Sequence, residues 1–583
     1  MAMLLKFRVP SVQRFIFETS SLREIRGASA LIEDFCNEDM AKQIEQNGGL
    51  PLYLAAGHGA VYFEDTPNEP AQMRCKKTQV TLLDYIQSAS ATLTSGFASI
   101  AYEPVGTNGV QKLLAKLDEN LEQATPAVVP LPALHSAMQS CKSCQRFPGC
   151  YRHQESEDWV CHVCRLKDRR TRRQPLPYWA RFATFLESEI KDRAQPAKHA
   201  WQRLLPVKTS SQNGNWTDPF LADDLNQLGK KSSRPGYVAL IYADVNNLGT
   251  FVKKQNMDLP KDVNGLQQRL SSISEKIDAS MQNATYTAII QTWPNLPQVI
   301  LDFQVRQPDR GQAPEEEQAG ETPQERLFPF DILYLGGDDL LFICTTDQAP
   351  NFSKNLIEAF EEQVKKLEMG LTLSIGMVFA KAHTPMSVLI EHAKQVLKSA
   401  KTKALVCTKE KSHTFQNAID FAALTETSVL DLKAQRQQMY QGRDGQLLTR
   451  PFSKDEFDAL LVSMKVLEEG HIRPVRLLPV LEACRRSVTQ GRVAMQALLA
   501  RMTSGDRQAV LKAWQALRRN ASPPGETASS SNSIPPGNAL PPLSADPIFK
   551  LPWWGNGKDT VTPLGDWLDL APFLEKEKEG RTS

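Results

Sequence analysis

The stretch FDILYLGGDDLLFICT, residues 330–345, decides how this chain is read. Two apolar, strand-like halves, Phe330 to Leu335 and Leu340 to Thr345, flank Gly336, Gly337, Asp338 and Asp339. A Gly-rich tip between two such halves predicts a β-hairpin. Taken alone, the tetrapeptide is also ordinary turn chemistry, so the surrounding pattern has to choose between a turn and a site.

Reading outward, GYVALIYADV (236–245) is a buried-type strand ending in Asp244, and the long segment 263–293 has a helical pattern. Segment 307–326, QPDRGQAPEEEQAGETPQER, has almost no apolar residues and reads as a surface insertion. After the hairpin comes a helix over 351–370 ending at Gly370, then the strand LTLSIGMVFA (371–380). A second helix follows over 384–401, with Thr384 as N-cap and Pro385 at the first helical position. The order β-α-β-β-α-β predicts a ferredoxin-like palm.

In that topology the first strand lies beside the hairpin, so Asp244 approaches Asp338 and Asp339. Three neighbouring carboxylates repel one another unless a cation lies between them. Their hard oxygens suit Mg²⁺ or Mn²⁺. A two-metal site of this kind activates a 3′ hydroxyl and stabilises a leaving pyrophosphate. Gly336 and Gly337 allow the tight turn and leave room for a triphosphate. Lys398 and Lys401 share a helix face. They either steady triphosphate oxygens or form a solvated helix end.

Together, YADVNNLGTF, YLGGDDLLFI, LSIGMVFAKAHTPMSVLIEHAKQVLKSAK and VQRFIFETSSLREIRGASALIEDF (from Val12) resemble the large subunit of type III CRISPR effector complexes. That resemblance implies two palm domains, an intervening zinc element and a C-terminal helical domain. It implies synthesis of cyclic oligoadenylates from ATP when a complex of partner subunits and guide RNA binds target RNA. Carried over, Asp244, Asp338 and Asp339 are the metal ligands. Many members begin with an HD nuclease domain. Here a palm pattern begins almost at Met1 and none of the nine histidines precedes an Asp, so HD nuclease activity is expected to be absent.

The N-terminal unit repeats the pattern. LKFRVPSVQRFI from Leu5 aligns without gaps on IYADVNNLGTFV from Ile241, with Arg8 in the place of Asp244. LPLYLAAGHGAVYFED (50–65) resembles the opening hairpin, with Gly57, His58 and Gly59 at its tip. This predicts a degenerate palm that faces the acidic one and binds nucleotide without metal. Arg8 and His58 either contact a phosphate or serve the structure alone.

Five of the ten cysteines fall between residues 126 and 175. Cys141-x-x-Cys144 and Cys161-x-x-Cys164, with 16 residues between the pairs, predict a closed, structural Zn²⁺ site. Cys150, His153 and His162 are spare ligands. The basic run RLKDRRTRRQ (165–174) is either a nucleic-acid contact or a solvated face.

The full expectation is an α+β multidomain chain of 583 residues. Residues 1–125 form the degenerate palm, 126–210 the zinc element and connector, and 230–421 the catalytic palm. A helical domain covers 450–520, a Pro/Ser/Gly-rich disordered linker 521–546, and an apolar docking tail, including LPWWGNG, 547–583. The helical region and tail together suggest a surface for small partner subunits. The formal net charge of +2 gives no global field toward nucleic acid or membrane. No apolar run has membrane-spanning length, and no signal-peptide layout opens the chain, so the default location is cytoplasmic without membrane contact. Two competing readings remain: a catalytically silent scaffold of a ribonucleoprotein complex, and another palm-type enzyme such as a diguanylate cyclase or a polymerase.

Overall fold

A computed structural model describes residues 2–89, 99–105, 116–121, 139–190, 207–208, 216–217, 221–251, 263–296, 327–407, 413–424, 431–520 and 561–574, apart from positions 10, 11, 20, 36, 37, 56, 118, 154–156, 174, 175 and 368. The surface insertion at 307–326, the linker at 521–546 and LPWWGNG at 551–557 lie outside the described residues.

The first unit runs β1 (Ala2–Arg8), α1 (Val12–Phe17), α2 (Leu22–Phe35), α3 (Glu38–Gln46), β2 (Leu50–Ala55), β3 (His58–Phe63), α4 (Ala71–Ala89) and β4 (Ser99–Val105). Its strands lie in the order β2-β3-β1-β4, all pairs antiparallel. Between this sheet and the next come α5 (His162–Arg173) and α6 (Pro177–Ile190).

The second unit runs β5 (Tyr237–Asn246), α7 (Val263–Thr292), β6 (Phe330–Gly336), β7 (Asp339–Cys344), α8 (Ala349–Lys366), β8 (Thr372–Lys381) and α9 (Met386–Ala404). Its sheet order β6-β7-β5-β8 repeats that of the first, then continues into β9 (Ala418–Leu424) and β10 (Phe452–Ser453). This is a palm fold of mixed α/β content. Both faces of its central strand are covered, which explains an almost unbroken apolar run. Ala239, Ile241 and Ala243 join one core, while Val238, Leu240 and Tyr242 join the other. That second core also takes in Leu5 and Phe7 of the first sheet.

The two sheets share an irregularity as well as an order. The β2–β3 register slips between Pro51 and Tyr53, and the β6–β7 register slips between Ile332 and Tyr334. These are matching positions of the two hairpins. Helix crossing is reciprocal too. On α7, Gln267 Nε2 donates to Pro51 O at 3.0 Å and Ser271 Oγ to Leu52 O at 3.1 Å, meeting the bulge of the first hairpin. On α2, Arg26 Nη1 reaches Asp331 Oδ2 of the second hairpin at 2.7 Å, with both side chains buried.

Two helix limits differ from the sequence reading. α8 ends at Lys366, with Leu367 as its C-cap, so Gly370 (φ +57°) turns the chain into β8 beyond the helix end. α9 starts at Met386 with Pro385 as its N-cap, because the Pro385 carbonyl accepts the first helical amides, from Val388 and Leu389. Thr384 is already in the turn, its amide bonded to Lys381 O.

The C-terminal helices are α10 (Leu432–Tyr440), α11 (Lys454–Glu469), α12 (Leu478–Arg486), α13 (Val488–Arg501), α14 (Ser504–Asn520) and α15 (Leu564–Leu574). Ser453 and Glu456 form a reciprocal capping box at the start of α11. The described part of the tail packs onto the chain's own core. Trp567 is fully buried against Trp514, and its Nε1 donates to Ser463 Oγ at 2.9 Å. Phe573 stacks on Phe379 of β8 with centroids 4.6 Å apart. Among the described residues no helix is long and apolar enough to cross a membrane.

Candidate active site and cysteine cluster

Strand register brings the acidic residues together. Asp244 stands directly opposite Asp339 on β7 and opposite Ser374 on β8. The hairpin turn is held from two sides. Val245 N donates to Asp338 O at 3.3 Å, and Gly337 N donates to Asp278 Oδ1 on α7 at 3.0 Å. Gly337 has φ +61°, a conformation that favours glycine, and a Cβ there would face open space.

The carboxylates perturb one another. Burial, then Asp244, pushes the Asp338 carboxyl up, and the same two causes in the same order hold Asp339 well above the usual carboxylate range. Lys401 Nζ stands 2.5 Å from Asp244 Oδ1 and counters part of this charge. Lys398, one turn earlier, is exposed. Asp339 Oδ1 is buried without a hydrogen-bond partner, while Oδ2 receives Tyr242 OH at 3.5 Å. An orphaned, buried carboxylate oxygen beside a second carboxylate fits a hard divalent cation. The three carboxylates do not close to a common 4.8 Å span; among the described residues only the cysteine cluster does.

At the first tip, Arg8 stands opposite His58, the register position that Asp244 and Asp339 occupy in the second sheet. Both side chains are exposed. Gly59 lies one position further in: a Cβ there would meet Leu54 Cδ2 at 2.7 Å and Phe7 Cζ at 2.8 Å, so it faces the core. Gly57 is also buried, at φ +86°.

Cys141, Cys144, Cys161 and Cys164 are buried with their sulfurs within 4.8 Å of one another. Cys144 and Cys161 Sγ lie 3.8 Å apart. A tetrahedral zinc with bonds of about 2.3 Å spaces its sulfurs by about 3.8 Å, so the cage fits that ion. The spare ligands stay out. Cys150 is exposed against Pro148 O, His153 faces Asp168, and His162 packs on Tyr151.

The basic run is partly internal: Lys167 and Asp168 are buried, and Arg165, Arg169, Arg170 and Arg172 are half-buried. Lys167 is fully buried, donating to Phe15 O at 2.5 Å and Glu18 Oε1 at 3.0 Å. Arg170 forks onto Asp34 at 2.6 and 3.0 Å, and Arg172 meets Asp168 at 2.8 Å. The Lys167 and Arg170 contacts fasten the cysteine module to the end of α1 and to α2 of the first unit, while the Arg172 pair lies within α5.

Sequence reasoning missed Tyr242, Asp278 and Gln13, whose amide donates to Tyr242 OH. Tyr242 had a signal, since it precedes Asp244 by two and therefore shares its face of β5. Asp278 and Gln13 had none, because only tertiary packing brings α7 and α1 to this turn.

With that geometry in hand, comparison with known proteins is direct. Residues 237–408 match the family model for the Cas10/Cmr2 second palm domain. The matched segment contains Asp244, Asp338, Asp339 and Lys401. No curated protein matches the chain. Among solved structures, a Csm1–Csm4 cassette in complex with pppApA is 16% identical, with 70% of this chain and 54% of that chain covered and a TM-score of 0.39. A Csm1–Csm4 cassette in complex with cA3 gives 14%, 88%, 69% and 0.44, and Csm1 of T. onnurineus gives 14%, 88%, 69% and 0.43. The chain spans about half the length of the first of these.

Proposed function

We propose that this chain is the large subunit of a type III CRISPR effector complex, and that its second palm joins ATP into cyclic oligoadenylates when the complex binds target RNA. The observation that carries the reading is the cross-strand pair Asp244–Asp339, with Asp339 Oδ1 buried and unpartnered, inside the segment that matches the Cas10/Cmr2 palm. Asp244, Asp338 and Asp339 would hold Mg²⁺ or Mn²⁺. Bound there, the cations supply Lewis acidity to the attacking hydroxyl and to the leaving pyrophosphate. Lys401, once drawn from Asp244, neutralises triphosphate oxygens, and Gly337 offers open backbone beside them. Lys398, one turn earlier on α9, is a second candidate for that task. The acceptor nucleotide rests against the first tip, where Arg8 and His58 present cationic and hydrogen-bonding groups without carboxylates. The four cysteines hold a structural zinc, and other effector subunits with guide RNA assemble around the chain. Residues 1–125, 126–210, 230–421 and 450–520 serve as first palm, zinc element, catalytic palm and helical domain.

The test is incubation of the purified chain, alone and with its co-purifying subunits and RNA, with each labelled NTP and Mn²⁺. ATP alone should yield cyclic product, and Asp338→Ala with Asp339→Ala should yield none. Product from that double variant would sink the site, and product from GTP alone would favour a diguanylate cyclase.

A further inference from the structure

The two oxygens of Asp339 live in different surroundings. Oδ1 is buried without a partner, and Oδ2 accepts from Tyr242 OH across 3.5 Å. The same hydroxyl accepts from Gln13 Nε2 on α1, 229 residues earlier. The NH₂ of Gln13 donates and an ionised carboxylate only accepts, so with Asp339 ionised, as a bound cation would keep it, the hydroxyl between them has one consistent orientation. Its hydrogen points at Asp339. The second bond is long and is the weaker of the two.

This relay has no mirror image in the repeat. In the gapless alignment, Lys6 stands where Tyr242 does, and Gly249 stands where Gln13 does. A Cβ at Gly249 would find nothing within 4 Å. The first unit therefore sends a side chain to the acidic tip, and the second unit returns none at the matching place. Such one-way contact is not required by the shared fold, which is otherwise reciprocal in its helix crossings.

We propose that Tyr242 is a positioning residue which fixes the rotation of Asp339 so that Oδ1 faces the cation, and that Gln13 acts through Tyr242 from the first unit. This rests on the metal reading of the acidic tip. Tyr242 touches no reacting group itself. Its effect is on the angle presented by a ligand, as the hydrogen-bond partners of metal-bound carboxylates commonly act. The first unit thus takes part in the chemistry of the second while holding no cation of its own.

The experiment measures Mn²⁺ binding to the full chain by electron paramagnetic resonance, without nucleotide, so turnover is not needed. The variants are Tyr242→Phe, Gln13→Met, both together, and Asp339→Asn as the control. Phe keeps the buried ring and Met keeps the length of Gln13, so the packing survives. Tyr242→Phe is expected to weaken Mn²⁺ binding about threefold, near the lower end of the worth of a hydrogen bond. Gln13→Met should weaken it less, and the double variant should match Tyr242→Phe alone. Wild-type binding by Tyr242→Phe, with binding lost in Asp339→Asn, overturns the positioning role and leaves the metal site standing. Additive losses in the double variant overturn the claim that Gln13 acts through Tyr242. Unchanged binding by Asp339→Asn overturns the metal reading itself.

Discussion

Asp278 Oδ1 accepts the amide hydrogen of Gly337 at 3.0 Å, so a helix fixes the turn that carries the acidic pair. Asp278 lies midway along α7, whose earlier residues Gln267 and Ser271 bond the first hairpin at its bulge. One helix therefore touches both hairpins. Asp278→Ala is expected to lower the rate of ATP turnover about tenfold, in line with the loss of a charge-assisted hydrogen bond. Asp278→Asn keeps an acceptor oxygen and should retain most of the rate. Equal losses in the two variants would show that the turn does not depend on this bond.

At the first tip the expected effect falls on binding. His58→Ala should raise the KM for ATP while leaving kcat within about twofold, because uniform binding is lost without touching the reacting atoms. Asp338→Ala should remove turnover at every ATP concentration. Initial rates against ATP with Mn²⁺ in excess separate the two. A His58→Ala enzyme with unchanged KM would reduce the first unit to a platform.

Metal analysis of the purified chain should give about one zinc per molecule. Cys161→Ser should lose that zinc and open residues 139–190 to limited proteolysis, since structural zinc contributes folding energy to its module. The cut should precede global unfolding, and the Lys167–Glu18 pair should then become exposed. A zinc-free wild type with the same proteolytic resistance would remove the structural role.

The tail supplies a pH effect of defined sign. Burial raises the Asp566 carboxyl from 3.8 to about 6, against the opposing pull of Arg450. Its oxygen accepts from Thr449 N and Oγ1, both at 2.7 Å. The folded state binds the proton more tightly than the unfolded state. The associated stability is fully present below pH 3.8 and is lost as pH rises through about 6. Its upper size is roughly 3 kcal/mol, because each tenfold gain in proton affinity is worth about 1.4 kcal/mol. Thermal midpoints between pH 4 and pH 7 should therefore fall more steeply for wild type than for Asp566→Asn. Parallel curves would mean that Asp566 is not protonated in this window.

The acidic palm was legible because its signals are local: alternating strands, a Gly-rich tip and two helices of ordinary period. The cysteine cluster was legible for the same reason, as two closely spaced pairs leave a short-range signature. What stayed hidden depends on neutralisation by distant partners. AIDFAAL (418–424) forms a further strand of the same sheet that the sequence reading did not assign, and it carries Asp420 into the core. In the structure Arg436 meets that fully buried carboxylate at 2.7 Å. RLKDRRTRRQ looked like an exposed basic run because Glu18 and Asp34, which pair with it, lie more than a hundred residues earlier. Lys398 and Lys401 were indistinguishable by spacing, and only the pitch of α9 against β5 selects Lys401. The partner surface assigned to the tail did not allow for an internal berth, which Trp514 and Phe379 provide for Trp567 and Phe573.

The matched bulges and reciprocal helix crossings give this single chain the architecture of a twofold dimer whose subunits have been fused. In a true dimer any residue that improves one tip is copied onto the other. Fusion lifts that constraint. Arg8 and Asp244 stand at equivalent places with opposite charge, an arrangement that no symmetric ancestor could have held. A symmetric pair would let either bound nucleotide attack the other. If two nucleotides meet between these tips as proposed, Asp244 and Asp339 at the second and Arg8 and His58 at the first would make them non-interchangeable, and a growing strand would acquire a polarity before its first bond is made.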